Sequence, residues 1–138
     1  MSGPGAPQVP TSVRVELAHA AVCRLARFAD IDALVLKGPA MDVTVAPPGR
    51  PSSDVDLLVR PSQLSGWVHL LTQRGWRAMD RFETSSSFEH SQTFHHDVWG
   101  PVDVHRFVPG VGVEPEHAFD VLWERRQVAT LAAHPCPV

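Results

Sequence analysis

The sequence predicts a small α+β (mixed α/β) domain with a sheet of about five strands and helices packed mainly on one side. Short apolar runs of strand length alternate with segments whose apolar residues recur at helical spacing. The 138 residues leave room for one domain with a modest core. A hydrophobic content of 43% and a charged content of 20% are typical of a globular protein.

The elements follow from this periodicity in chain order. Residues 1–10 are rich in proline and glycine, which predicts a disordered tail. Thr11 or Ser12 can cap a first helix that runs to about Ala29. The elements predicted after it are a strand at 33–36, a short helix at 39–45, a strand at 54–60, a helix at 62–74, strands at 76–82, 91–98 and 102–108, and a helix at 116–126.

Glycine and proline mark most of the boundaries between these elements. Pro39 favours the start of the short helix, and Gly75 ends the helix at 62–74. Gly100-Pro101 separates two strands that could pair as a hairpin. The domain is therefore predicted to span 11–128, and 129–138 to form an irregular end at which a further helical region would begin.

Composition excludes several functional classes. The net charge of −3 argues against a broad nucleic-acid surface. No apolar run approaches the roughly 18–20 residues that span a membrane, and the N-terminus lacks the features of a signal peptide. The two cysteines, Cys23 and Cys136, are too few for a disulfide scaffold. We therefore expect a cytoplasmic protein without a membrane partner, and the acidic charge balance disfavours direct nucleic-acid binding but leaves a terminal nucleotide open as the acceptor.

Three aspartates on two predicted strands form the candidate site. Asp54 and Asp56 lie two apart, so their side chains share one face of a strand. Asp103 lies on a later strand and shares its face with His105. If the two strands are neighbours, three carboxylates converge, and Mg²⁺ or Mn²⁺ would offset their repulsion. The alternative places Asp54 at a strand end and Asp56 on a solvated edge.

A second group of residues could hold phosphate. Gly38 lets backbone amides approach a ligand closely, and the start of the following helix attracts anions. Lys37, the single lysine among 12 basic residues, could add a positive charge. Arg50 and Ser53 lie in the loop before the acidic strand, where an arginine could clamp a triphosphate. The alternatives are a simple turn at Lys37-Gly38 and a solvated loop arginine.

The histidines allow more than one interpretation. His105 could orient the carboxylate of Asp103, contact phosphate, or line the wall of the site. His90, His95, His96 and His105 raise the alternative of a zinc site, although their spacing matches no standard zinc pattern. His95 and His96 are adjacent on a predicted strand, so they point to opposite faces.

These motifs resemble the bacterial family of uncharacterised nucleotidyltransferases, within the polymerase-β-like nucleotidyltransferase superfamily. They are Leu36-Lys37-Gly38-Pro39-Ala40, the run from Arg50 to Val59, Gly75-Trp76, His90 and Val102-Asp103-Val104-His105-Arg106. The resemblance covers about residues 13–128. It implies the nucleotidyltransferase fold, a metal-binding triad at Asp54, Asp56 and Asp103, and a nucleotide-binding turn at Gly38.

The sequence departs from the superfamily pattern at one position. Lys37-Gly38 stands where most of the superfamily has Gly-Ser, so the hydroxyl that usually touches phosphate is absent and Lys37 would have to substitute. Members of the family also usually continue into a helical region that holds the acceptor.

The expected enzyme is an Mg²⁺-dependent nucleotidyltransferase that transfers a nucleoside monophosphate from a nucleoside triphosphate such as ATP to an acceptor hydroxyl, with release of pyrophosphate. Lys37, Gly38, Arg50, Ser53 and His105 would contact the nucleotide. One alternative is a catalytically inactive nucleotide- or partner-binding module of the same fold, and another is a metal-dependent phosphohydrolase. The acceptor stays open among a small molecule, a peptide, a protein side chain and the end of an RNA.

Overall fold

A five-stranded mixed sheet is the central feature of the protein, described by a computed structural model over residues 10–37, 54–79, 91–106 and 114–138. Its strands are β1 (Ala33–Lys37), β2 (Val55–Val59), β3 (Arg77–Ala78), β4 (Ser91–His96) and β5 (Gly100–His105). The helices are α1 (Thr11–Phe28), α2 (Leu64–Gln73), which follows a short 3₁₀ turn at Pro61–Gln63, and α3 (Pro115–Glu124). The predicted helix at 39–45 and, apart from Pro10, the predicted tail lie outside the described residues.

The strand order is β1-β2-β5-β4-β3, which confirms the predicted mixed sheet of five strands. β2 and β5 are parallel neighbours, and every other pair in this sheet is antiparallel. β4 and β5 form the expected hairpin, with Thr93 directly opposite Asp103. The two acidic strands are therefore adjacent in the sheet.

The main core lies on one face of the sheet, where α1 and α2 pack. Trp67 and Leu71 of α2 and Val22 of α1 are buried there against apolar residues of the strands, among them Leu57 and Val104. Burial of these apolar side chains is the main favourable contribution to this packing. None of the described helices is long and apolar enough to cross a membrane.

The opposite face of the sheet is covered by α3 at one end. Phe119 of α3 packs with Leu34 of β1 and Leu58 of β2 in a small second cluster, with Trp123 at its margin. β2 is consequently buried on both faces along its whole length. Asp56 and Leu58 are two residues apart on β2, so their side chains lie on this same second face. The face is therefore apolar where α3 covers Leu58 and acidic at Asp56.

The chain end differs from the predicted irregular segment at 129–138. Here β6 (Val128–Leu131) and β7 (His134–Pro137) form an antiparallel hairpin. Cys136 is fully buried against α1, and its thiol lies 4.0 Å from the carbonyl oxygen of His19. Burial of Cys136 and Leu131 in the main core explains why this segment is ordered.

Gly75 ends α2 in a Schellman arrangement, with φ of +93° and a hydrogen bond from Trp76 N to Leu71 O of 3.0 Å. We expect Gly75→Ala to lower the free energy of unfolding by about 1 kcal/mol, because an L side chain is strained at this φ. An added Cβ would also lie 3.3 Å from Nε2 of His96. Urea denaturation measures this change.

Gly66 provides a control of opposite sign. It lies inside α2, and a Cβ added there would meet no atom within 4 Å. Gly66→Ala should therefore raise the free energy of unfolding by about 0.5–1 kcal/mol, because alanine favours the helix. Equal effects of the two substitutions would contradict the proposed strain at Gly75.

Candidate active site

Three aspartates lie together on the parallel strands β2 and β5, at the start of β2. Asp56 is directly opposite Asp103 across the parallel pair of strands, and Asp54 immediately precedes β2. The side chain of Asp56 is buried, with 4% of the residue exposed, whereas Asp54 and Asp103 are half-buried. The register of two neighbouring strands therefore holds the predicted carboxylates on one rigid part of the sheet.

Asp56 is held by a histidine from the neighbouring strand. The distance between His105 Nε2 and Asp56 Oδ1 is 3.1 Å. A carboxylate oxygen accepts hydrogen bonds, so Nε2 of His105 carries the hydrogen and donates it. His105 thus orients Asp56, whereas the carboxylate that the sequence suggested for this histidine was that of Asp103.

Asp103 accepts a hydrogen bond from the hydroxyl of Thr93, with 2.6 Å between Thr93 Oγ1 and Asp103 Oδ1. Burial raises the pKa of the Asp103 carboxyl, and the negative charges of Asp56 and Asp54 raise it further. The Thr93 hydrogen bond and the nearby His105 lower this pKa, but they do not cancel the increase. The three carboxylates are therefore close enough to repel one another.

The chemistry of these donors suits a hard divalent cation. Carboxylate oxygens are the ligands that Mg²⁺ and Mn²⁺ prefer, and a cation would relieve the repulsion on Asp103. Among the residues that the structure describes, no three His, Cys, Asp or Glu side chains stand ready to hold an ion. One oxygen of Asp56 contacts His105 and one of Asp103 contacts Thr93. The donor types therefore fit the ion, and with these two contacts kept the ion would be held by the other carboxylate oxygens.

The predicted phosphate-binding residues fall mostly beyond the described ranges. The backbone of Lys37 lies opposite Asp56 at the end of β1, where the strand register shifts. Gly38, Arg50 and Ser53 lie outside the described residues. The C-terminal end of β1 therefore lies beside Asp56.

Among the described residues, His95, His96 and His105 do not form a group that could hold a metal ion. His90 lies outside the described residues. Nδ1 of His96 accepts hydrogen bonds from the backbone N–H groups of Val98 and Trp99, at 3.0 and 3.3 Å. His96 thus stabilises the turn between β4 and β5.

Thr93 is the residue at this site that sequence reasoning missed. Its position depends on the β4–β5 register, which places it opposite Asp103. Ser91, Thr93 and His95 alternate with the buried residues Gln92 and Phe94, and this alternation was the available signal. It predicts a polar face for β4, but only the register identifies the residue beside Asp103.

A separate cavity of about 390 Å³ lies at the other end of the sheet. Its lining includes Arg27, Asp32 and Ala33, and Ala33 pairs with Val59 at the end of β2 away from Asp56. None of the three aspartates lines this cavity. The carboxylate site is thus distinct from it and lies on the face of the sheet.

In metal-free buffer we expect Asp103→Asn to raise the free energy of unfolding at neutral pH. The fold disfavours the ionised carboxyl, so this group favours the native state below its usual pKa of 3.8, and that contribution is lost as pH rises through the raised pKa. The gain should be small near about pH 3 and grow with pH. Urea midpoints of both proteins across this pH range measure it.

Asp97→Asn is the matched control, because Asp97 is highly exposed and its carboxylate pairs with Arg77. This variant should show no gain in stability at neutral pH. A lower urea midpoint for Asp103→Asn at neutral pH would mean that the fold stabilises the charged form of Asp103.

Comparison with known proteins is consistent with this geometry. A family model described as uncharacterised nucleotidyltransferase matches residues 12–138. The crystal structure of the lincosamide antibiotic adenylyltransferase LnuA, with lincomycin bound, is similar to this chain, with a TM-score of 0.60. The match covers 88% of this chain and 78% of that chain at 14% sequence identity, so it shows the fold alone. No curated protein sequence gives a significant match.

The family match extends from the second residue of α1 to the end of the β6–β7 hairpin. It confirms the family that the sequence motifs indicate, and the similar structure confirms the predicted nucleotidyltransferase fold. The family match also confirms the prediction of an enzyme that transfers a nucleotidyl group. The chain belongs to the family of uncharacterised nucleotidyltransferases.

Proposed function

We propose that this protein uses a divalent cation to transfer a nucleoside monophosphate from a nucleoside triphosphate to the hydroxyl of a small molecule. The observation that carries the proposal is the pair Asp56 and Asp103, directly opposite each other on parallel strands beside Asp54. The raised pKa of Asp103 supports it, since clustered carboxylates of this kind favour a bound cation.

Each carboxylate has a proposed role. Asp54, Asp56 and Asp103 would hold Mg²⁺ or Mn²⁺, which when bound offsets the charge of the triphosphate and polarises the α-phosphate. The oxygen of the acceptor hydroxyl forms a bond to the α-phosphorus, and Asp103 accepts the proton that this hydroxyl releases. The bond from the α-phosphorus to the bridging oxygen breaks, and pyrophosphate leaves.

The phosphates would lie beside the segment that follows β1. Lys37, Gly38, Arg50 and Ser53 are proposed to contact them, which supplies backbone amides and two positive charges. Support comes from the position of the Lys37 backbone opposite Asp56. His105 is proposed to position Asp56 beside the bound nucleotide, since it already donates a hydrogen bond to that carboxylate.

The donor and acceptor classes are proposed from the similar structure. LnuA is an adenylyltransferase of lincosamide antibiotics, so we propose ATP as the donor and a hydroxyl-bearing small molecule as the acceptor. The family match supports the class of reaction.

Calorimetric titration of each nucleoside triphosphate, with Mg²⁺ and with a chelator, tests this proposal. We expect Mg²⁺-dependent binding of ATP that is lost in the Asp54→Asn/Asp56→Asn double variant and kept in Asp97→Asn. Release of pyrophosphate is then measured with a panel of hydroxylated small molecules. Failure to bind any triphosphate would overturn the proposal, and binding without turnover on every acceptor would favour the inactive binding module.

A further inference from the structure

A row of four residues crosses the sheet at the level of the carboxylates. Lys37, Asp56, Asp103 and Thr93 are successive partners across β1, β2, β5 and β4. Thr93 lies at the far end of this row from the proposed phosphate-binding segment. It is therefore the residue of β4 that stands next to the carboxylate with the raised pKa.

We infer that Thr93 is the positioning residue of Asp103, holding one carboxylate oxygen so that Asp103 can share a divalent cation with Asp56. This inference rests on the proposed function. An aspartate side chain rotates broadly about its last torsion. The 2.6 Å hydrogen bond from Thr93 Oγ1 to Asp103 Oδ1 opposes this rotation by holding one carboxylate oxygen beside β4.

The backbone of Thr93 has a structural role that does not need the hydroxyl. Thr93 O accepts a hydrogen bond from Met79 N at 2.8 Å, and the residue sits within the β4–β5 ladder. Valine has nearly the same shape as threonine and favours strands equally. Thr93→Val should therefore leave the sheet intact while removing the hydrogen bond to Asp103, which separates positioning from folding.

The negative charge of the cluster explains why positioning matters here. Repulsion from Asp54 and Asp56 acts on Asp103, so its carboxylate would turn away from them without a donor to hold it. Groups that orient metal ligands typically affect metal affinity or activity by about 10–100-fold when they are removed. Thr93 is expected to fall in this range.

The test measures Mn²⁺ binding by electron paramagnetic resonance and nucleotidyl transfer to an acceptor found in the screen. We expect Thr93→Val to weaken Mn²⁺ binding by about tenfold or more and to lower kcat more than it raises KM for the nucleotide. Thr93→Ser keeps the hydroxyl and should restore both quantities to within about threefold of wild type. Thr130→Val, on an exposed strand of the β6–β7 hairpin, is the matched control and should change neither.

The outcomes separate this inference from the proposed function. If wild type binds Mn²⁺ and ATP but Thr93→Val binds Mn²⁺ as tightly, the positioning role alone is overturned. The same conclusion follows if Thr93→Ser is as impaired as Thr93→Val while both variants unfold at the wild-type urea concentration. A wild-type protein that binds neither Mn²⁺ nor any triphosphate overturns the proposed function together with this inference.

Discussion

Replacing Asp56 with asparagine is expected to lower nucleotidyl transfer by about 100-fold or more, with little change in stability. Asp56 has 4% of its surface exposed and stands opposite Asp103, so its charge is central to the proposed cation site. Asparagine keeps the size of the side chain and an oxygen that can accept the hydrogen bond from His105. It removes one of the negative charges that hold a divalent cation.

Pyrophosphate release and Mn²⁺ titration measure this loss, and urea denaturation checks that the fold is intact. The control is Asp97→Asn, which makes the same chemical change at an exposed carboxylate in the β4–β5 turn. Turnover of Asp56→Asn within about tenfold of wild type would show that Asp56 is not a metal ligand. If Asp56→Asn also lowers the free energy of unfolding enough to leave part of the protein unfolded in the assay, Asp56 would instead have a structural role.

The sheet and the acidic strands could be predicted because local patterns specify them. Side chains of β2 alternate between the two faces of the sheet, with Val55, Leu57 and Val59 on one face. The same alternation places Asp54 and Asp56 together on the other face. The β4–β5 hairpin was also predicted, but Gly100-Pro101, expected to be its turn, forms the start of β5, and the turn lies at 97–99. The parallel pairing of β2 with β5 joins segments about forty residues apart, so the sequence could offer it only as a condition for the carboxylates to meet.

The C-terminal hairpin could not be predicted because its local signals point the other way. Pro135 and Pro137 indicate a strand breaker, yet they lie between the hydrogen-bonded pairs of the ladder, where no N–H is needed. Ala132 and Ala133 both have positive φ, a turn conformation that glycine and asparagine usually occupy. Burial of Cys136 on α1 outweighs these local preferences.

The second large effect is expected at Arg60, which immediately follows β2. Arg60 Nε lies 2.9 Å from Asp32 Oδ2, and its Nη1 lies 3.2 Å from Glu116 Oε1 and 2.5 Å from Asp120 Oδ1. The guanidinium carbon is 4.6 Å from the centre of the Phe119 ring. One side chain, 16% exposed, thereby joins the start of β1, the end of β2 and α3.

We expect Arg60→Ala to lower the free energy of unfolding by about 2–3 kcal/mol. Removing the cation leaves three carboxylates close together beside an apolar cluster, and breaking a largely buried ion pair typically costs about 3–5 kcal/mol. The partners are about one-third to one-half exposed, so solvent screening reduces this value. Urea denaturation at neutral pH measures the change.

Arg77→Ala is the matched control, since Arg77 and Asp97 form an ion pair whose side chains are 66% and 82% exposed. Its loss should be at most about 0.5 kcal/mol. Equal losses in the two variants would mean that the Arg60 network does not anchor α3. A larger loss at Arg60 would show that Arg60 anchors α3 to the sheet at the end of β2. The carboxylates lie at the start of β2 on the same face of the sheet, so Arg60 would fix α3 at the opposite end of this face from the proposed cation site.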